Sequence, residues 1–179
     1  MMTNLIQDVL PLLKKSGSPF WLAGGYSIDF FLGRTSRPHE DLDFTIKRTD
    51  QLHFQKALAD WDLQAANPPG SGELKPWPMG HSYDLPIHNI WCRKNEASTW
   101  DLELLFSEFE NNEWVYRRNK NIRGPIEDFS WSYSDDLKIL KPESQLLYKS
   151  RSKRPKDLLD LQNCLPLFKQ NQRCRDRLV

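Results

Sequence analysis

The feature that most constrains this chain is a glycine pair, Gly24-Gly25, set between a short apolar run and a helical pattern. Residues 20–23 are typical of a buried strand, and the apolar spacing over residues 26–32 predicts a helix that ends at Gly33. Glycines let backbone N–H groups approach a phosphate, and a helix N-terminus favours the phosphate charge. The pattern predicts a phosphate-binding strand–turn–helix unit, although a glycine pair alone also fits a plain turn.

Two pairs of acidic residues are spaced for one face of a strand. Asp41 and Asp43 stand at the head of a predicted strand, and Asp101 and Glu103 repeat the spacing in a second one. Alternation puts the members of a pair on one strand face, roughly 7 Å apart at Cα. Neighbouring carboxylates repel each other unless a cation lies between them, and hard oxygen ligands suit Mg²⁺. Adjacent in one sheet, the pairs could form a two-metal phosphoryl-transfer site, whereas an isolated Asp-x-Asp also fits a solvated strand edge.

Four basic or aromatic positions are candidates for ligand contacts. Arg37 offers a fixed guanidinium fork to a phosphate, and His39 could support the acids from behind or contact a phosphate. Lys149 lies on an apolar helical pattern, where its stem can run along the helix to reach water. Trp77, within the proline- and glycine-rich segment 67–86, is a candidate for stacking on an acceptor. We expect that segment to be a loop near the site.

The remaining pattern predicts an α/β (α+β) chain with a helical end. Apolar spacing predicts a first helix over residues 3–16, a helix after Asp50, strands over residues 87–92 and 99–106, and a further strand over residues 114–117. Helical patterns follow over residues 143–150 and 155–168, with a short helix over the last eight residues. We therefore expect a mixed β-sheet flanked by helices over residues 1–140 and a helical C-terminal subdomain over residues 141–179.

Composition excludes several classes of protein. Lys and Arg total 25 against 24 Asp and Glu, a net charge of +1, so nucleic-acid binding by bulk charge is not expected. No apolar run approaches the roughly 18 residues of a membrane span, and Gln7 and Asp8 interrupt any signal-peptide core. Three cysteines without a CxxC pair argue against disulfides and zinc. We expect a cytoplasmic protein with no membrane partner, and homo-oligomer formation stays open.

Taken together, these motifs resemble a known family. The chain looks like the small bacterial nucleotidyltransferases that modify antibiotics, namely the aminoglycoside 2″-adenylyltransferase-like and lincosamide nucleotidyltransferase proteins of the polymerase-beta superfamily. The resemblance implies the nucleotidyltransferase fold and spans about residues 19–170. The segments that carry it are the Gly24-Gly25 turn, Gly33-Arg-Thr-x-Arg-x-His39, Asp41-x-Asp43, Trp114–Arg118, Pro142–Lys149 and Arg154–Asp157.

The resemblance also implies residue roles. Asp41 and Asp43 would bind Mg²⁺, and Asp101 would be both the third metal ligand and the general base, with Glu103 as an accessory acid. Lys149 would contact phosphate. The nucleoside triphosphate would be held by Gly24, Gly25, Tyr26 and Ser27. Many superfamily members carry Gly-Ser at this turn, whereas here Tyr26 precedes Ser27, and the helical tail that reads the acceptor is short.

The activity implied is Mg²⁺-dependent transfer of a nucleoside monophosphate, with AMP from ATP as the first choice among nucleotides. Two Mg²⁺ ions and an NTP would be required, and the acceptor would be a hydroxyl of a small molecule, such as an antibiotic. Two alternatives remain at this stage. One is an enzyme that modifies a protein or an RNA, and the other is a regulatory or antitoxin-like binding module that retains the fold.

Overall fold

The structure, a computed structural model, describes residues 4–152 and 154–175. Within these residues the chain forms a mixed sheet of ten strands. The strands are β1 (Phe20–Leu22), β2 (Leu42–Lys47), β3 (Asp62–Ala66), β4 (Leu74–Pro76), β5 (Asn89–Arg93), β6 (Leu102–Glu110), β7 (Glu113–Val115), β8 (Arg123–Pro125), β9 (Ser130–Ser134) and β10 (Leu137–Leu140).

Six α-helices accompany the sheet within the described residues. They are α1 (Asn4–Lys14), α2 (Gly24–Leu32), α3 (Gln51–Ala57), α4 (Ile126–Phe129), α5 (Pro142–Lys149) and α6 (Pro155–Arg175). The expected α/β class with a mixed sheet and a helical end is confirmed. The separate helix expected over the last eight residues is wrong up to Arg175, which continues α6, and residues 176–179 lie outside the described residues. No helix in the described part of the chain combines the length and apolarity that crossing a membrane requires.

The order of the strands brings three chain segments together at the centre of the sheet. The order is β4-β3-β5-β6-β2-β1-β10-β9, with β7 pairing to the far part of β6 and β8 to β7. Strand β2 lies antiparallel to β1 and parallel to β6. The glycine turn after β1 and the first residues of β2 and β6 therefore lie at one end of the sheet.

Alternation along the central strands separates an apolar face from a mixed one. Leu42, Phe44 and Ile46 point into a core shared with α1 and α3, so Asp43 and Thr45 point to the opposite face. A second apolar cluster, built around Trp21, Trp114, Tyr116, Phe129 and Leu140, covers part of that face. The acidic residues lie on the face that this second cluster leaves open.

Helices α5 and α6 pack against α2 and against each other. The start of α5 therefore lies beside the glycine turn, and Gln145 accepts a hydrogen bond from the Gly24 N–H at 2.9 Å. The predicted boundary between residues 140 and 141 falls between β10 and α5, and the division into two domains stays a prediction.

Candidate active site

Three carboxylates meet at the end of β2 and β6. The parallel register of these strands places Asp43 opposite Glu103. One ligand oxygen from each of Asp41, Asp43 and Glu103 lies within 4.8 Å of the other two. Carboxylates at this spacing offer the hard oxygen ligands that Mg²⁺ takes together with substrate phosphates.

The carboxyl groups of Asp43 and Glu103 favour a shared proton, whose place a cation could take. Burial, followed by the neighbouring Asp41 charge, raises the pKa of Asp43. Burial and the neighbouring Asp43 raise the pKa of Glu103 well above its usual range, and the two carboxyl groups share a hydrogen bond. Asn89 donates from Nδ2 to Oε1 of Glu103 at 2.6 Å. A shared proton relieves the repulsion between the half-buried carboxylates, and a divalent cation would relieve it more strongly, so these residues fit a metal site.

The third carboxylate differs from the sequence prediction. We predicted Asp101, but the structure brings Glu103 to the aspartate pair instead. Asp101 precedes the first residue of β6, and its carboxylate accepts a hydrogen bond from the Thr99 hydroxyl at 2.6 Å. Alternation allows either residue of the pair, whereas the register of β6 against β2 selects the second. The structure therefore places Glu103, and not Asp101, in the acidic group, and the roles of metal ligand and base stay predictions.

The glycine turn lies directly against the acidic group. Gly24 has a positive φ of 65°, and a Cβ at this position would overlap the Asp43 carboxylate. A Cβ at Gly25 would collide with the side chains of His39 and Arg37. Both positions thus require glycine, and the N-terminus of α2 is held next to the acidic group, where its backbone N–H groups could face a phosphate.

Gly24→Ala tests this close approach, with Gly33→Ala as the matched control. Both glycines have a positive φ, so each substitution should cost about 1 kcal/mol of left-handed backbone strain. A Cβ at Gly33 would meet no neighbouring atom within 4 Å. We expect only Gly24→Ala to lose Mg²⁺ and nucleotide binding as well, because its methyl group displaces Asp43. Calorimetric titration of both variants with ATP and Mg²⁺ measures the difference, and equal affinities in the two would refute the close approach.

Two predicted phosphate contacts take structural positions instead. Ser27 is fully buried, and its hydroxyl donates to the Gly24 carbonyl at 2.9 Å. Tyr26 packs its ring on His39, with 4.4 Å between the ring centroids. Neither side chain lines the cleft described below. In this structure both residues brace the turn, and any phosphate contact from residues 26–27 would come from their backbone.

Arg37 and His39 belong to one hydrogen-bonded chain behind the glycine turn. Arg37 Nη1 can only donate, so His39 Nδ1 accepts from it at 3.0 Å. His39 Nε2 must then carry the proton and donate to Asp29 at 2.6 Å. Asp29 also accepts from the Ser36 hydroxyl. The imidazole is therefore a neutral connector that holds Arg37 in place.

Lys149 and Arg37 converge on two acids of α6. Asp160 accepts from Arg37 Nε at 3.0 Å and pairs with Lys149 Nζ at 2.9 Å, and its side chain is fully buried. Asp157 pairs with Lys149 and Arg154, each at 2.7 Å. Burial acts to raise the pKa of Asp160, but the hydrogen bond from Arg37 and the Lys149 charge outweigh it, so the pKa is lowered. The sequence analysis placed Asp157 in a segment that carries the family resemblance and gave no role to Asp160.

A large open cleft, of about 1340 Å³, connects these groups. Gly25, Asp43 and Glu103 line it beside Arg37 and Lys149. The cations lie on the α6 side of the acidic group, where they face the glycine turn. This arrangement suits a polyphosphate that runs from the carboxylates toward α6.

Aromatic residues near the cleft differ from the sequence prediction. Trp77 is buried in the core against Phe106 and Tyr83, and its indole N–H donates to the His81 carbonyl. It therefore has no surface for stacking on an acceptor. Trp91, on β5, lines the cleft instead. Its strand pairs with β6 in a register that places Trp91 beside Glu103, a tertiary relation that sequence spacing does not reveal.

The fold matches known nucleotidyltransferases over almost the whole chain. A lincomycin-bound lincosamide adenylyltransferase, LnuA, superimposes with a TM-score of 0.60 at 18% identity, covering 91% of this chain and 96% of that one. ANT(2″)-Ia in complex with adenylyl-2″-tobramycin gives a TM-score of 0.59 at 14% identity, covering 98% of both chains. The expected nucleotidyltransferase fold is thus confirmed.

Sequence comparison adds a family match over the N-terminal part of the chain. Residues 5–67 match the aminoglycoside-2″-adenylyltransferase family. A 2″-aminoglycoside nucleotidyltransferase of Klebsiella pneumoniae is 42% identical over 42 residues, and one of Escherichia coli has the same identity. The match spans 24% of this chain and 24% of each relative. The resemblance to these families is confirmed, and the matched region contains the glycine turn, Arg37, His39 and the Asp41–Asp43 pair.

Proposed function

We propose that this protein is a Mg²⁺-dependent nucleotidyltransferase that moves a nucleoside monophosphate, AMP from ATP, onto a hydroxyl of a small molecule. The observation that carries the proposal is the convergence of Asp41, Asp43 and Glu103 beside the glycine turn. The family match over residues 5–67 supports it, as do the structural neighbours. An antibiotic is the acceptor class that the names of these relatives suggest.

The phosphate-binding part of the proposal depends on the α6 side of the cleft. The backbone N–H groups of the turn and the side chains of Arg37 and Lys149 would hold the triphosphate. Asp157 and Asp160 keep both cations in place before the nucleotide arrives. Preorganised cations lose little side-chain freedom on binding, which lowers the cost of association.

The chemistry would follow from the position of the three acids. Two Mg²⁺ ions bound by Asp41, Asp43 and Glu103 would neutralise phosphate charge and acidify the attacking hydroxyl. The acceptor oxygen would form a bond to the α-phosphorus while the bond to the β-phosphate bridging oxygen breaks, which releases pyrophosphate. Glu103 would take the hydroxyl proton. Asn89 would orient the Glu103 carboxylate through its hydrogen bond to Oε1. Arg37 and Lys149 would stabilise the leaving pyrophosphate.

We expect ATP with Mg²⁺ to raise the melting temperature, and EDTA to remove the gain. A ligand that binds only the folded state stabilises it by about 2.7 kcal/mol at a hundred times its dissociation constant. Thermal melts of wild type and Asp43→Asn with ATP, with and without EDTA, measure this effect. Asp101→Asn is the control, and it should keep the shift because its carboxylate lies outside the acidic group. Equal shifts in wild type and Asp43→Asn would contradict the site.

Pyrophosphate release separates this proposal from a regulatory binding module with the same fold. A module would bind ATP and Mg²⁺ without turnover, whereas an enzyme releases pyrophosphate when an acceptor is added. The presence of three converging carboxylates favours the enzyme. The near-neutral net charge of +1 weighs against an RNA acceptor.

A further inference from the structure

A second cavity, of about 520 Å³, adjoins the acidic group on the side away from α6. Glu103 forms one boundary, and the cavity continues along β6 past Leu105 and Ser107 to Arg117 and Arg118. Its polar lining includes the Ser107 and Tyr148 hydroxyls and the His88 imidazole, and its walls include apolar side chains such as Leu140. A reactant that places a hydroxyl beside Glu103 can therefore extend into this cavity.

Arg117 has no counter-ion there. Within residues 4–152 and 154–168, no carboxylate or other acceptor forms a hydrogen bond or ion pair with its guanidinium. Its neighbour Arg118 donates to the Tyr148 carbonyl at 2.7 Å, which is a neutral partner. Burial and the adjacent Arg118 charge lower the pKa of Arg117, but a guanidinium stays charged at neutral pH. A half-buried cation at a cavity wall has lost part of its hydration, and an anionic group that enters the cavity can replace it.

Other basic residues line the cleft and the spaces beside it, and several of them pair with acids. Four cations lie on its α6 side, namely Arg37, Lys149, Arg154 and Lys156. Three more, Arg117, Arg118 and Arg151, line the adjoining spaces. Among the described residues that line these spaces, the carboxylates are Glu40, Asp41, Asp43 and Glu103.

None of these carboxylates is available to recognise an ammonium group. Asp41, Asp43 and Glu103 form the metal group, and a bound cation would use their charge. The Glu40 side chain is 91% exposed, with its Oε2 at 4.0 Å from Lys156, so it lies at the solvent edge. Asp157 and Asp160 lie behind the cleft wall and already pair with Lys149, Arg37 and Arg154. A polycation would therefore find no free carboxylate among the described residues that line these spaces.

We propose that the acceptor is a hydroxyl compound that carries an anionic oxygen group, a carboxylate or phosphate, and no set of ammonium groups. This inference rests on the nucleotidyl transfer proposed above. The anionic group would pair with Arg117, and the hydroxyl would then lie beside Glu103, where the α-phosphate of the nucleotide is proposed to bind. A guanidinium matches the planar geometry of a carboxylate and also pairs well with phosphate.

The range of the family match is consistent with an acceptor site that differs from that of the aminoglycoside-modifying relatives. The family match covers residues 5–67, which supply the glycine turn and the aspartate pair. Glu103, Arg117 and Arg118 lie outside that range. The matched range thus supplies the glycine turn and the aspartate pair, whereas Glu103 and the arginines of the second cavity come from the part of the chain that the family match does not cover.

Three sugars that differ mainly in charge test the proposal. Glucuronate, glucose and glucosamine present similar hydroxyls with a negative, neutral and positive substituent, and tobramycin serves as the polycation. Each is titrated calorimetrically into the full chain, with and without saturating Mg²⁺ and α,β-methylene-ATP, which cannot transfer its nucleotide. We expect affinity to fall from glucuronate to glucose, with no measurable binding of glucosamine or tobramycin.

Two variants test whether Arg117 in the second cavity causes the preference for glucuronate. Arg117→Gln should weaken glucuronate binding by about tenfold or more, since a charge-assisted pair is lost, and should leave the affinity for the ATP analogue unchanged. Arg123→Gln, which removes an arginine paired with Glu110 and Glu113 outside the cleft, should change neither. Tobramycin binding, no glucuronate binding at millimolar concentration, or equal glucuronate affinity in wild type and Arg117→Gln would overturn the proposal. Failure of the ATP analogue to bind would instead count against the proposed function. In that case the sugar titrations without nucleotide would still test whether the cavity prefers an anionic sugar.

Discussion

Asp43→Asn is expected to lower nucleotide transfer at least about a thousandfold, because metal charge stabilisation contributes several kcal/mol to such reactions. Asp41→Asn should have an effect of the same order, since each aspartate supplies an oxygen to the group. The measurement is pyrophosphate release at saturating ATP and Mg²⁺ with an acceptor that the wild type uses. Asp101→Asn is the control for a nearby acid, and near-wild-type turnover in Asp43→Asn would remove Asp43 from the metal site.

The same substitution should leave the metal-free protein at least as stable as the wild type. Burial raises the pKa of Asp43 in the folded protein, above about 3.9 in the unfolded chain. The folded state then holds a proton that the unfolded state releases, so this contribution to stability is present at acid pH and is lost as pH rises through the folded pKa. An asparagine at position 43 does not ionise, so Asp43→Asn does not lose this stability as pH rises. The stability advantage of Asp43→Asn over wild type in EDTA should grow as pH rises from about 4 toward neutrality, and denaturant melts across that range measure it.

The second large effect concerns the two acids at the start of β6. We expect Glu103→Gln to cut the single-turnover rate at least about a hundredfold, the low end of general-base contributions. The reason is its contact with Asp43 and its orientation by Asn89. Asp101→Asn should change the rate little, since its carboxylate accepts from Thr99 at the loop. Glutamine keeps the size of the side chain and can still pair with Asn89, so the comparison isolates the charge.

The outcome of this comparison assigns the base. A mild Glu103→Gln together with an inactive Asp101→Asn would return the role to Asp101. Two mild variants would mean that the proton leaves by another route, through solvent or through the metal-bound hydroxide alone.

The central part of the fold was predictable because its signals are local. The glycine pair, the helix that ends at Gly33 and the alternation of β2 each depend on residues next to one another. Strands β3 and β4 were missed. Asp62–Ala66 contains no β-branched residue, and Leu74–Pro76 lies among prolines and glycines. These strands form because they pair with each other and with β5, and such pairing is not visible in single-sequence periodicity.

Helix α6 shows why the site was only partly predictable. Its exposed positions include Leu158, Leu161 and Leu165, whereas Asp157 and Asp160 are buried. Hydrophobic periodicity assigns the leucines to the core and the acids to the surface, the reverse of the structure. The acids point inward because they form ion pairs with Arg37 and Lys149. Arg37 and Asp160 are more than 100 residues apart in the sequence. The choice of Glu103 over Asp101 likewise depends on strand register, which the spacing of two acids leaves open.

The most direct test of the account is acceptor-dependent pyrophosphate release in wild type and Asp43→Asn. ATP labelled in the α-phosphate is incubated with Mg²⁺ and a panel of hydroxyl compounds of negative, neutral and positive charge. The account predicts that the wild type releases pyrophosphate in step with the transfer of labelled AMP to an acceptor, that EDTA stops both, and that Asp43→Asn shows neither. Pyrophosphate release that is equal in wild type and Asp43→Asn, or that persists in EDTA, would contradict it.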